Sequence, residues 1–191
     1  MLALPPEAID AGYVLLRRWS IDDAEALQLM IAESLEHLRP WMGWIQAEPL
    51  SIEERRAKIR QWDRRWNAAE GFSYAITQRN GDLLGACGLH IGPDQTELGL
   101  GYWIRSGKTG RGFASQAAAG LVESALSIGE VDSVGVAHDR ANTASRRIPE
   151  KLGFTLIGKR DVGVHAPSES GVDCIWKLER MNWRPLWNKG E

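Results

Sequence analysis

The chain has 191 residues, 43% apolar and 25% charged, a length and composition that fit one domain, residues 1–191 with its core at about 13–183, able to bury a real interior. Its net charge of −2 gives no general attraction to nucleic acid or to an anionic membrane. No apolar run approaches the roughly 20 residues of a membrane span, and residues 1–10 lack the basic-then-apolar layout of a secretion signal. Cys87 and Cys174 are far apart with no CxxC, which fits reduced thiols in a cytoplasmic protein better than a disulfide framework. Nine tryptophans against three tyrosines and three phenylalanines is the compositional oddity. Trp carries a wide ring and one donor, so it suits half-buried surfaces such as pocket walls.

Residues 14–17 read as a short strand. Ser20 with Asp23 opens a helix whose apolar stripe is Ala24, Leu27, Ile31 and Leu35. A Trp-rich loop, 37–50, is broken by Pro40, Gly43 and Pro49. Ser51 with Glu54 is a capping box for a second helix reaching about residue 69, apolar at Ile52, Ile59, Trp62 and Trp66. Strands 72–78 and 83–91 are joined by the hairpin signal Asn80-Gly81. A third strand, 97–104, carries Gly99 and Gly101, which mark a close backbone approach. A glycine-rich loop, 106–112, leads into a helix over 113–128. Residues 133–137 form a buried strand, Asn142 starts a helix that stops at Gly153, and strands 159–164 and 173–178 close the chain. The order β-α-α-β-β-β-α-β-α-β-β predicts an α+β or mixed α/β fold.

The segment 104–114, IRSGKTGRGFA, is the best ligand signal. It joins a strand to a helix, its glycines let N–H groups converge, and the helix N-terminus adds partial positive charge. No Asp or Glu occurs from 98 to 122, whereas Arg105, Lys108 and Arg111 do. A pyrophosphate suits such a loop; a tight turn that binds nothing is the alternative. Gly107-Lys108-Thr109 imitates the end of a Walker A motif, but Tyr102 stands where that motif needs glycine, and Gly110 and Gly112 fall where its helix begins. A dinucleotide GxGxxG fails because Ser115 replaces the last glycine.

The motif Gly110-Arg111-Gly112-Phe113-Ala114, after a GYWI strand and before an Ala-rich helix, resembles the acetyl-CoA pyrophosphate loop of the GNAT superfamily of N-acetyltransferases. Residues 142–154, NTASRRIPEKLGF, are similar to that family's N-x-x-S…E-K-L-G-F helix and turn. Residues 35–44, LEHLRPWMGW, are similar to a segment of its RimJ/RimL branch, which acetylates ribosomal-protein N-termini. The likeness runs over about residues 14–183. It implies the GNAT fold: a mixed, mostly antiparallel central sheet in which two parallel strands splay apart around the cofactor, flanked by helices.

The resemblance implies roles residue by residue. Trp103, Ile104 and Arg105 match the strand end whose backbone meets the pantetheine arm. Lys108, Thr109, Gly110, Arg111, Gly112, Phe113 and Ala114 match the pyrophosphate cradle. Asn142 matches an Asn that bonds pantetheine; a plain helix N-cap is the alternative. Arg146, Arg147 and Lys151 are candidates for the 3′-phosphate. Pro149 stands where another branch has a Tyr that protonates the departing thiolate, while Ser145 sits where RimJ/RimL relatives place a Ser that can do so. Candidate bases are Glu97, His138 and Asp173. Trp41, Trp44, Trp62 and Trp66 fall on elements that cover the acceptor side, with core filling as the alternative. His37, His90, His138 and His165 show no metal spacing, so no metal is expected. The implied activity is transfer of acetyl from acetyl-CoA to a primary amine of a peptide, protein or small molecule. The second reading is a non-catalytic acyl-CoA-binding protein of the same fold. No nucleic-acid or membrane partner is expected. The tail 183–187 could seal a homodimer or pack back on the sheet.

Overall fold

The computed structural model describes residues 3–92 and 96–185. In chain order these form β1 (Ala8–Ala11), β2 (Val14–Arg18), α1 (Ala24–Leu38), α2 (Ile52–Asn67), β3 (Gly71–Gln78), β4 (Leu83–Ile91), β5 (Glu97–Ile104), α3 (Phe113–Ser127), β6 (Ser133–Asp139), α4 (Thr143–Lys151), β7 (Thr155–Asp161) and β8 (Val172–Glu179). The strands make one sheet in the order β1-β2-β3-β4-β5-β6-β8-β7. Every neighbouring pair is antiparallel except β5 with β6. This is the mixed, mostly antiparallel α/β sheet that the resemblance implied.

Local chemistry explains most boundaries. The Ser20 and Ser51 capping boxes both form; the Ser51 hydroxyl accepts from the Glu54 N–H while the Glu54 carboxylate accepts from the Ser51 N–H. The Asn80-Gly81 turn joins β3 to β4. Two strands differ from expectation. β1 is an additional four-residue strand, joined to β2 by the Gly12-Tyr13 turn. Its short run of Ala-Ile-Asp-Ala has no alternation long enough to read. β7 begins at Thr155, not near 159, because β8 pairs with it from Lys177 back to Val172 across an irregularity at Leu156/Gly158. All seven β7 residues are exposed, so no buried face betrays its position.

Two cores hold the sheet. On one face α3 presents Ala117, Ala118, Leu121, Val122 and Ala125, all buried. Its alanines reflect close packing: a Cβ on Gly120 would fall 2.7 Å from that of Ala11. On the other face, α1 and α2 pack Leu27, Met30, Ile31, Leu38 and Ile59 against Ala75, with Ala86 and Trp103 at the margin of that cluster.

The loop between α1 and α2 is anchored from within. Arg55, on α2, pairs with Glu48 at 2.6 Å, and their side chains are only 4% and 5% exposed. The Glu48 carboxylate also accepts from the Leu50 N–H. Removing one partner strands a buried charge, whereas replacing both with apolar groups does not. Arg55→Ala should therefore destabilise the fold by about 3–5 kcal/mol, read as a lower urea midpoint, and Arg55→Ala with Glu48→Leu should recover part of the loss.

Candidate functional site

The site begins where two strands part. β5 and β6 pair at four positions, ending at Leu100 opposite Val136. Beyond that, β5 continues to Ile104 paired only with β4, and β6 continues to Asp139 paired only with β8. The Arg105 N–H donates to the Leu84 carbonyl at 2.8 Å. By the alternation of an antiparallel ladder, Trp103 and Gly101 also turn their backbone groups to β4, while Tyr102 and Ile104 turn theirs into the gap. Among Trp103, Ile104 and Arg105, only Ile104 thus presents its N–H and C=O there. Tyr102, the residue that breaks the Walker spacing, does the same.

Two cavities open on this gap. One, of about 490 Å³, is lined by Lys108, Thr109, Gly110, Gly112, Phe113 and Ala114 of the glycine-rich loop and by Ala144, Arg147 and Ile148 of α4. The other, of about 500 Å³, lies over the sheet beneath Trp41, Met42 and Trp44. Trp41, Met42, Tyr102, Trp103, Asn142 and Ser145 line both. A ligand running from one to the other passes these residues.

The first cavity suits an elongated phosphate ester. Gly112 is the N-cap of α3 at φ +82°, with no side chain capping the helix and no acid in its first turn. The exposed amides of that turn face outward with the positive end of the helix dipole. Gly110 is also left-handed, at φ +73°. An added Cβ at either glycine would meet nothing within 4 Å, so backbone conformation, not crowding, calls for glycine there. The loop is tied to α1: the Ser106 N–H donates to Ser34 Oγ at 3.2 Å, and the Arg105 guanidinium pairs with Glu33. Arg105 is thereby turned away from the cradle, and neither it nor Arg111 lines the cavity. Arg146 pairs with Glu150, leaving Arg147 as the α4 arginine that lines it.

At the junction, Asn142 caps α4 by accepting from the Ser145 N–H at 3.0 Å. Its side-chain oxygen is engaged; its NH2 is bonded to nothing among the described residues and lines both cavities. Pro149 lies inside α4 and has no N–H, so the Ser145 carbonyl, its partner four residues back, loses its helical donor. The Tyr102 hydroxyl donates there instead, at 3.1 Å, and stands 3.2 Å from Ser145 Oγ. Burial pushes the Tyr102 hydroxyl up to about 12, against the opposing effect of the Ser145 hydrogen bond. It stays protonated at neutral pH.

The second cavity has a floor almost free of side chains. Gly71, Ser73, Gly88, Gly101 and Ala137, from four strands, lie in register on one sheet face. Trp41 is half-buried in the roof, and Trp44, 42% exposed, tilts against Trp103 with ring centres 6.0 Å apart. The roof is pinned to the loop before β8: Gln46 Nε2 donates to the His165 carbonyl, and the Ser168 N–H to that of Pro40. Trp62 and Trp66 do not line this cavity. Trp62 packs on Trp19, and Trp66, 1% exposed, packs edge-on against Phe72 and Tyr74. Both fill core, as their helical spacing equally allowed.

The three candidate bases separate. Glu97 lies before the strands part, about 13 Å along β5 from Gly101. It sits 3.3 Å from Lys177 Nζ, accepts from Ser133 Oγ, and lines neither cavity. His138 lines the second cavity, but its ring is fully engaged. The Trp176 indole, which can only donate, points at Nε2 at 3.0 Å, and the ring's Nδ1–H therefore donates to the Asp139 carbonyl at 2.8 Å. No lone pair remains for a substrate. Burial would raise the Asp139 carboxyl, but hydrogen bonds from Ala141, Ser170 and Gly171 outweigh it and hold it below its ordinary value; this group braces the loop. Asp173 lines the cavity and is pushed up by burial, with Asp139 and Glu169 adding to the rise against Arg160 and His138. At the far end, Arg65 and His90 also line it. Burial and then Arg65 hold His90 below its ordinary value, against Glu97. Neither stood out in the sequence, being one basic residue among six on a helix and one histidine on a strand.

Cys87 and Cys174 are buried and unpaired. Among the described residues no helix is long and apolar enough to cross a membrane, and no group of three or more His, Cys, Asp or Glu is placed to hold a metal. Of the tail 183–187, residues 186 and 187 lie outside the described residues; Trp183 packs on the core.

Comparison with known proteins fits this geometry. Residues 14–155 match the acetyltransferase (GNAT) domain family. YdaF of Bacillus subtilis, provisionally named a ribosomal N-acetyltransferase, is 25% identical over 172 residues, covering 90% of this chain and 93% of its own. The structure of RimL, a ribosomal L7/L12 α-N-protein acetyltransferase in complex with coenzyme A, superposes with a TM-score of 0.83 at 20% identity, covering 91% of this chain and 98% of its own. The microcin C7 self-immunity acetyltransferase MccE, in complex with acetyl-CoA and AMP, gives 0.83 at 20% identity, covering 92% and 98%. The chain belongs to the GNAT acetyltransferase family and is an acetyl-CoA-dependent N-acetyltransferase.

Proposed function

We propose that the chain acetylates the α-amine of a peptide or protein in the cytoplasm, with acetyl-CoA in the cavity at the glycine-rich loop and the amine entering through the cavity under Trp41 and Trp44. The observation that carries this reading is the meeting of the two cavities where β5 and β6 part. A peptide acceptor is supported by the names of YdaF and RimL, which refer to ribosomal N-acetylation. It is supported too by the broad, bare floor, which leaves room for an extended chain.

Amides of residues 113–115, with Lys108 and Arg147, hold the phosphates. Ile104 and Tyr102 offer backbone groups to the pantetheine arm and the thioester oxygen, and Asn142 offers its free NH2. The amine attacks the thioester carbonyl directly. Its α-ammonium, of pKa about 7.7–8.0, is partly neutral near pH 7.5, and Asp173 accepts the remaining proton. The breaking C–S bond leaves a thiolate that accepts a hydrogen bond from the Ser145 hydroxyl, turned from Tyr102 towards the gap when the thioester is bound, and that then takes its proton from solvent.

Release of free thiol from acetyl-CoA across peptides, amino acids, polyamines and aminoglycosides tests the acceptor class; peptides should turn over fastest, and fastest turnover with a non-peptide amine would overturn the reading. Gly112→Asp should weaken acetyl-CoA binding tenfold or more by calorimetry, because it forces a left-handed conformation costing about 1–2 kcal/mol and sets a negative charge at the cradle. Ser145→Ala should lower kcat by about 10²–10⁴ with acetyl-CoA affinity retained, and Tyr102→Phe should lower it less. Unchanged kcat in both would remove this pair from the chemistry.

A further inference from the structure

The cavity under Trp41 and Trp44 is charged differently at its two ends. Near the gap stand the carboxylates of Asp173 and Glu169; at the far end, over β3 and β4, stands Arg65. Arg65 is exposed, and its Nη2 lies over Gly71, where an added Cβ would come within 3.0 Å of it. The guanidinium's one hydrogen bond among the described residues, at 3.1 Å, goes to the Glu70 carbonyl. It has no carboxylate partner among them, unlike Arg55 and Arg56 on the same helix. A guanidinium has five donors in a planar fork, so most of this one faces the cavity mouth unused. His90 lies beside it, its ring directly on Gly99, where no Cβ would fit. The His90 ring makes no hydrogen bond among the described residues. Between this end and the gap the floor is Gly88 and Gly101, which carry no side chains, and an added Cβ at Gly101 would meet nothing within 4 Å.

From this arrangement we propose that Arg65, with His90 beside it, binds a carboxylate of the acceptor, so that the preferred substrate is an α-amine followed by an acidic group. The inference rests on the peptide-acceptor reading above and names its specificity. Register gives the spacing. His90 stands opposite Gly99, and the attacked carbonyl lies near Tyr102, three residues further along β5. That is roughly 10 Å along the strand, and Gly71, beneath Arg65, lies two strands across at about 4.8 Å each, so the span is about 14 Å; three residues of extended peptide cover about 10 Å of it, and the contacts of about 3 Å at its two ends cover the rest. Two sources supply the same chemistry at that distance: an acidic side chain at about the third position of a longer peptide, or the terminal carboxylate of a tripeptide. The uncharged floor discriminates little between side chains at the second position. A basic side chain at the third would face Arg65 and be disfavoured.

The test compares kcat/KM for thiol release with peptides of one N-terminal residue. One arm uses C-terminally amidated pentapeptides with Ala, Glu or Lys at position three; the other uses a tripeptide with a free carboxylate and its amide. Glu should exceed Ala by roughly tenfold, the margin of a charge-assisted hydrogen bond at an exposed site, and Lys should fall below Ala. A preference confined to the tripeptide acid identifies the terminal carboxylate as the source. In Arg65→Gln the Glu/Ala ratio should drop to about one, in Arg65→Lys part of it should return, and in Arg65→Glu the order of Glu and Lys should invert. Turnover of all peptides with equal kcat/KM, or a Glu preference that survives in Arg65→Gln, overturns the inference while leaving the peptide reading intact. Absence of turnover with every peptide, alongside turnover of another amine, overturns both.

Discussion

The site depends on a pairing that stops. Leu100 and Val136 are the last residues joined across β5 and β6, and both strands then run on while held only from their outer sides. A parallel pair inside a sheet normally keeps its hydrogen bonds. Here the N–H and C=O groups of Tyr102 and Ile104 are left facing an opening. That opening creates a demand for hydrogen-bonding partners, which the amide-rich arm of acetyl-CoA meets, and it connects the two faces of the sheet. In the proposed reading the cosubstrate reaches the gap from the α3–α4 side and the amine from the α1–α2 side, and the chemistry is confined to where they meet.

The residues around the gap are held before any ligand arrives. Pro149 withholds a helical hydrogen bond from Ser145, and Tyr102 supplies the replacement, which fixes both hydroxyls at the junction. Asp139 gathers the N–H groups of residues 141, 170 and 171 and so braces the loop that carries Glu169. That loop in turn is bonded to the Trp-rich roof. The buried Arg55–Glu48 pair ties the far end of the roof to α2. A roof fixed at both ends keeps Trp41 and Trp44 over an otherwise empty floor.

Much of this was legible in the sequence because local chemistry determines it. Ser51 with Glu54, Asn80-Gly81 and the acid-free stretch around Gly110 and Gly112 each act through neighbours in the chain. What was not legible depends on contacts across the sheet. Glu97 and Asp173 look equivalent as carboxylates on strands; only register puts one beside Lys177 and the other at the cavity. His138 has the right chemistry for a base, but the Trp176 indole 38 positions away occupies its lone pair. Trp62 and Trp66 share a helix face whose periodicity is the same for a pocket wall as for a core. Tyr102 adjoins residues the motif singled out, yet its role comes from Pro149, 47 positions on, and no spacing rule connects them. Arg65 differs from the other α2 cations in lining the cavity, which is a property of the folded molecule.

The central claim is that cosubstrate and acceptor occupy separate cavities that meet at the parted strands. Gly101 tests it most directly. It lines the acceptor cavity only, and an added Cβ there would meet nothing within 4 Å, so a larger side chain projects into the cavity without disturbing the sheet. In Gly101→Leu, acetyl-CoA binding measured by calorimetry should match the unaltered protein, while acetyl transfer to its best amine acceptor is lost. Loss of acetyl-CoA binding in a folded variant, or full transfer activity despite the filled cavity, would contradict the account.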